Sequence, residues 1–110
     1  MKTETPWMVR QGDVALVAVT EIPADAVALR RDEGDRVVLA YGEATGHAHA
    51  LHEPGVTMLR VAANDAVFLR VIEPSNLVHE EHAPIAVPPG AYRVVRQREY
   101  FPDEIRTVAD

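Results

Sequence analysis

An all-β domain, a single small barrel or sandwich built largely from hairpins, is what the 110-residue sequence predicts, and three observations carry that expectation. Turn signals made of Gly, Pro, Asp and Asn recur about every ten residues. Between them lie short apolar runs rich in β-branched residues. No stretch has the apolar spacing of a long amphipathic helix. The length suits one domain whose core needs no covalent staple.

Residues 1–10 read as a polar leader, and Gln11-Gly12-Asp13 then introduces Val14–Val19, a continuous apolar run best taken as a buried strand. Ile22-Pro23 to Val27 reads as a loop or one helical turn, because Pro23 suits a first helical position but the stretch is short. Ala28–Arg31 and Arg36–Tyr41 flank the turn signal Asp32–Asp35, which predicts a first hairpin. After the turn at Glu53-Pro54-Gly55, Val56–Val61 pairs naturally with Ala66–Ile72 across Ala62–Asp65, giving a second and clearer hairpin. Leu77–Val87 reads as extended with an interruption at Pro84. Pro88-Pro89-Gly90 turns the chain into a last strand over Ala91–Tyr100, whose alternation leaves its buried face open. The tail from Phe101 to Asp110 suits a short helix starting near Pro102-Asp103. All eight prolines fall outside the apolar centres of these strands, as their missing N–H requires.

Composition narrows the chemistry. The chain has no cysteine, which excludes disulfides and thiolate ligands and leaves histidine, carboxylate, backbone oxygen and water for any metal. A formal net charge of −6 opposes attraction to nucleic acid or to an anionic membrane. Arg93, Arg96 and Arg98 with Tyr92 and Tyr100 form a basic and aromatic cluster, yet Glu99 sits inside it, so these arginines are read as partners of the acidic excess on a solvated sheet face. No apolar run approaches the roughly 20 residues that span a bilayer, and Met1–Trp7 lacks a signal-peptide core, so a cytoplasmic location is expected. Glycine-rich phosphate loops, G-x-S-x-G and cysteine nucleophiles are missing, which removes support for nucleotide binding and nucleophilic hydrolysis.

All five histidines fall into two stretches, His47, His49 and His52 in one, His79 and His82 in the other. Residues two apart on a strand share a face, so His47 and His49 can chelate one ion with bonds of about 2 Å. His52, three beyond His49, faces away if the strand continues. His79 and His82 are also three apart and reach one centre together only if the chain bulges or turns there, as Glu80-Glu81 and Pro84 permit. If the strand is regular, only one of this pair joins His47 and His49, with Glu43, Glu53 or Glu81 as a carboxylate; if it bulges or turns, the metal set is His47, His49, His79 and His82. Glu43, Glu80 and Glu81 suit the orientation of imidazoles, and Glu43 or Glu81 the transfer of a proton. Thr45-Gly46 suits a backbone bend before the first pair. The competing readings are solvated or hydrogen-bonded histidines, and an uncoordinated pair acting as a pH switch.

Gly42-Glu-Ala-Thr-Gly-His47-Ala-His49-Ala-Leu-His-Glu53 resembles the first metal motif of cupins, where a glycine precedes H-x-H and a glutamate follows, and Pro88-Pro89-Gly90 looks like the turn of their second motif. A cupin places its last histidine shortly after that turn. This chain has Tyr92 there, with His79 and His82 before it. The resemblance implies a β-barrel metal site. The combination of Gly-Glu-Ala-Thr-Gly-His-Ala-His, His-Glu-Glu-His, Pro-Pro-Gly-Ala-Tyr and Arg-Gln-Arg-Glu-Tyr also resembles a group of small bacterial proteins of unknown function, which implies one compact domain and no activity.

The resulting expectation is a β domain holding a divalent transition metal (zinc, iron, manganese, nickel or copper), acting on a small-molecule substrate if it is an enzyme. The alternative is a non-enzymatic module in which the histidines stabilise the fold or an interface. Exposed strand edges favour a homo-oligomer in either case.

Overall fold

A computed structural model describes residues 7–41 and 47–96. Glu43, the Thr45-Gly46 bend, Arg98, Tyr100 and the tail read as a helix lie outside the described residues. Among the described residues ten strands follow in order: β1 (Met8–Gln11), β2 (Val14–Val19), β3 (Val27–Ala28), β4 (Val37–Tyr41), β5 (Ala48–Leu51), β6 (Val56–Val61), β7 (Ala66–Val71), β8 (Ser75–His79), β9 (His82–Val87) and β10 (Gly90–Arg96). They form a six-stranded sheet, β1-β2-β10-β7-β6-β3, and a four-stranded sheet, β4-β5-β8-β9. All the pairings are antiparallel. Of the two expected architectures the chain adopts the sandwich, not a closed barrel. Among the described residues no helix is long and apolar enough to cross a membrane.

Registration sets the core. Val94 lies opposite Leu16 on one side and Val67 on the other, while Tyr92 lies opposite Ala18 and Leu69, and Leu69 in turn faces Met58. Directly opposed residues point to the same side of a sheet, so these pairings align one apolar row. Leu16, Leu69, Tyr92 and Val94 are buried against Val37, Leu39, Leu51, Leu77 and Val87 of the smaller sheet. The face of β10 that alternation left open is therefore the one with Tyr92 and Val94. The Tyr92 hydroxyl stays satisfied there by donating to Pro88 O, and burial raises its pKa above the ordinary tyrosine value.

Three expectations are corrected. The stretch read as a polar leader ends in β1, whose register with β2 runs from Met8 opposite Val17 to Gln11 opposite Val14. The hairpin expected around Asp32–Asp35 is a turn that passes the chain between sheets: Val27-Ala28 pairs with Arg60 and Leu59, whereas β4 pairs with β5. The turn itself is real, closed by Asp32 N–H to Arg36 O at 2.9 Å and held by Asp32 Oδ1, which accepts from Gly34 N at 3.0 Å and Arg36 N at 2.7 Å. Arg31 leaves the ladder because its guanidinium donates to the carbonyls of Asp35, His52, Glu53 and Val56, tying this turn to the one at Glu53-Pro54-Gly55. Finally, Leu77–Val87 is interrupted at Glu80-Glu81, giving two strands. Pro84 stays inside β9, which its edge position in the sheet allows.

Candidate metal centre

His47 stands just before β5 and His49 within it, and the β8–β9 hairpin carries the other two rings. His79 lies directly opposite His82 across the two-residue turn, with a register shift between Leu77 and His79. The two-residue turn Glu80-Glu81 thus places two histidines three apart on one side of the hairpin. Val78 pairs with Ala50, which docks the hairpin beside β5. The four rings then come together: His79 stacks on His49 at 4.2 Å between centroids, lies edge-on to His47 at 5.9 Å and sits 4.8 Å from His82, while His49 and His82 are 5.7 Å apart. His52 is exposed, its N–H donating to Glu53 Oε1 at 3.2 Å.

His49 is the buried ring, 4% exposed, and β1 holds it. Gln11, 2% exposed, donates its Nε2 to Leu77 O at 3.0 Å and Ala83 O at 2.9 Å, which turns Oε1 toward His49 Nδ1 at 2.9 Å. An amide oxygen only accepts, so Nδ1 carries the proton of the neutral ring and Nε2 keeps its lone pair. That Nε2 lies 3.9 Å from Asp13 Oδ1. Burial lowers the His49 pKa, the charges of His79 and His82 lower it further, and Asp13 and Glu80 oppose the shift. The neutral, ligating form is thus favoured near pH 7.

Around His47 the carboxylates divide the work. Glu81 Oε2 lies 3.0 Å from His47 Nδ1, an arrangement that leaves His47 Nε2 free as a donor atom and gives the ring a carboxylate partner. Glu80 Oε1 accepts from Ala48 N at 3.0 Å, and this backbone N–H lowers the Glu80 pKa, so the group is ionised. His47, His79 and Glu80 each offer a ligand atom within 4.8 Å of the others. Donors on one tetrahedral ion stand about 3.4 Å apart for bonds near 2.1 Å, so capture requires these side chains to close by up to about 1.4 Å. His79 Nδ1 accepts from Glu81 N at 3.0 Å; ligation through that nitrogen displaces the backbone N–H, and ligation through Nε2 requires the ring proton to move.

All four expected histidines thus meet, although only His47 and His79 stand in the tightest group. Glu81 acts on His47, and Glu53 is taken up elsewhere, accepting from His52 N and Asn76 N. Sequence reasoning placed Glu80 beside the imidazoles but not in the group whose ligand atoms converge, and it missed Gln11, Gly12 and Asp13 as neighbours of the rings. Its only signal for Glu80 was adjacency to His79 in a turn. Gln11 gave none, because its role depends on β1 lying near β9. A hollow of about 270 Å3 lined by Arg36, Ala48, Ala50, His52, Val78, His79 and Glu80 adjoins the group. Arg93 and Arg96 line a different cleft, with Asn64 and Asp65.

A family model described as a domain of unknown function (DUF8820) matches residues 10–97. No curated protein and no solved structure matches the chain.

Proposed function

We propose, for a chain that belongs to the DUF8820 family of unknown function, a divalent transition-metal site on a β-sandwich, reached by a small molecule through the adjoining hollow. The observation that carries this reading is the convergence of His47, His79 and Glu80 to within 4.8 Å. Two imidazoles and a carboxylate without thiolate suit zinc, iron, manganese, nickel or copper. The chemistry such an ion supplies is Lewis acidity toward an oxygen of the bound molecule.

The chain's own residues give the site its direction. Glu81, with a side chain 64% exposed and 3.0 Å from His47 Nδ1, orients that ring and stands where a proton can pass to solvent. The hollow is lined by the apolar Ala48, Ala50 and Val78 together with the polar Arg36, His52, His79 and Glu80, which suits a compact ligand. Protein purified without an affinity tag is expected to carry or take up about one ion per chain or more. Less than about 0.1 ion per chain, unchanged after each of the five metals is added, overturns the reading.

A second reading has its own observation in favour: the cluster joins separate parts of the chain, Glu80 to Ala48 N and Gln11 to Leu77 O and Ala83 O. An ion there would staple the hairpin to β5 with no reaction performed. His47→Gln with His79→Gln separates the two. A catalytic site predicts a variant that stays folded and keeps its assembly, whereas a structural site predicts a lower Tm or a dispersed oligomer.

A further inference from the structure

The donor atoms of His49 and His82 are not aimed at the group of His47, His79 and Glu80 alone. Gln11 fixes the Nδ1–H form of His49, so its ligand atom is Nε2, and that nitrogen lies 3.9 Å from Asp13 Oδ1. The separation exceeds a hydrogen bond. It falls between about 3.4 Å, the spacing of two donors on a tetrahedral ion, and about 4.2 Å, the spacing of two opposite donors at bonds near 2.1 Å.

Gly12 shows what surrounds the gap. Its φ is +62°, and a Cβ built on it would lie 3.1 Å from His82 Nε2, 3.1 Å from His49 Cε1 and 3.4 Å from His49 Nε2. A side chain here would enter the space between two imidazole nitrogens. Glycine supplies both the left-handed backbone and the clearance. Asp13, the next residue, brings a carboxylate to the same space.

We infer that His49 Nε2, His82 Nε2 and Asp13 Oδ1 form a second position for a divalent transition cation, built on the β1–β2 turn and distinct in its ligands from the group of His47, His79 and Glu80. The donors are again imidazole and carboxylate, so the cation belongs to the zinc, iron, manganese, nickel and copper class. His49 is held by Gln11. His82 is exposed and beside a turn, and Asp13 has a side chain 37% exposed, so the closure of the three donors onto one ion falls to these two side chains. His79 contacts all three other rings and stands beside both positions.

The test is equilibrium dialysis of the full, tag-free, chelator-stripped chain against zinc, with the bound metal counted. Wild type is expected to bind two ions. Asp13→Asn and His82→Gln are each expected to weaken one of them by about tenfold or more and leave the other unchanged. His47→Gln and Glu80→Gln are expected to do the converse. One ion only, sensitive to both sets of variants, means a single shared centre and overturns the second position while sparing the proposed function. Two ions indifferent to Asp13→Asn and His82→Gln overturn it as well. No bound ion overturns both.

Discussion

Replacing Gln11 with leucine keeps most of the side-chain volume and removes every polar contact that β1 makes with the histidine cluster. Three groups lose a hydrogen bond: Leu77 O and His49 Nδ1, where the bond is buried, and Ala83 O, where it is part-buried. A buried polar group left without a hydrogen bond costs about 1–3 kcal/mol. Three such losses are not additive, and burying the leucine returns about 1.5–3 kcal/mol, so the net expectation is a destabilisation of about 2–5 kcal/mol. Against a domain stability of about 5–15 kcal/mol this is a large fraction. At roughly 4–8 °C per kcal/mol it corresponds to a Tm lowered by about 8–40 °C. Urea unfolding at neutral pH measures the free energy, and nitrogen NMR of the imidazoles reads the tautomer. Wild-type His49 is expected as Nδ1–H, and in the variant that preference is lost. A change below about 1 kcal/mol with the His49 tautomer unaltered would refute the reasoning, since it would mean that Gln11 neither satisfies nor orients the groups it touches.

Three further outcomes follow from the same contacts. Asp32 has its pKa lowered first by the Arg36 backbone N–H, with the Arg36 guanidinium and the Gly34 N–H adding to it; its stabilising effect is therefore complete above the ordinary carboxylate value and fades as pH falls through the lowered one. Asp32→Asn is expected to be less stable than wild type at pH 7, with the gap closing in acid, and a gap independent of pH contradicts this. Tyr92→Phe removes the donor to Pro88 O and should cost about 0.5–1.5 kcal/mol in chemical denaturation; an unchanged midpoint contradicts it. Arg31→Met keeps an apolar stem but abandons four carbonyls of the two linked turns, and a loss of about 1–3 kcal/mol is expected, with faster amide exchange at Val56, whose N–H bonds to Glu53 O at 3.3 Å.

The parts of this fold that were legible in the sequence are those whose information is local. Val56–Val61 and Ala66–Ile72 announce themselves because the turn signal Ala62–Asp65 separates two apolar runs, and Val56–Val61 pairs with Ala66–Val71 across it. Val14–Val19 is likewise bounded by its own neighbours. Ala28–Arg31 misled because the turn at Asp32 is encoded locally, whereas the partner of Val27 and Ala28 is set by the distant β6 and by the grip of Arg31 on the turn near Glu53. Met8–Gln11 carries too few apolar residues to signal a strand, and it becomes one by pairing with β2. At the site, the expected arm of His47 with His49 rests on parity within one strand, but His47 stands just before β5, and the ring that contacts both is His79. The union of His79 with His82 depends on the chain turning at Glu80-Glu81 so that the two pair directly, and the roles of Gln11, Gly12 and Asp13 depend on β1 packing against a hairpin more than sixty residues away in sequence. Those features exist only once the sheets are assembled.

The most direct measurement is the X-ray absorption spectrum of the zinc-loaded, tag-free chain. Ligation by the cluster predicts a mixed nitrogen and oxygen shell at about 2.0–2.1 Å with the outer-shell scattering of at least two imidazoles, diminished in His47→Gln and His79→Gln. A shell of oxygens alone, without imidazole scattering and indifferent to both substitutions, would contradict the account.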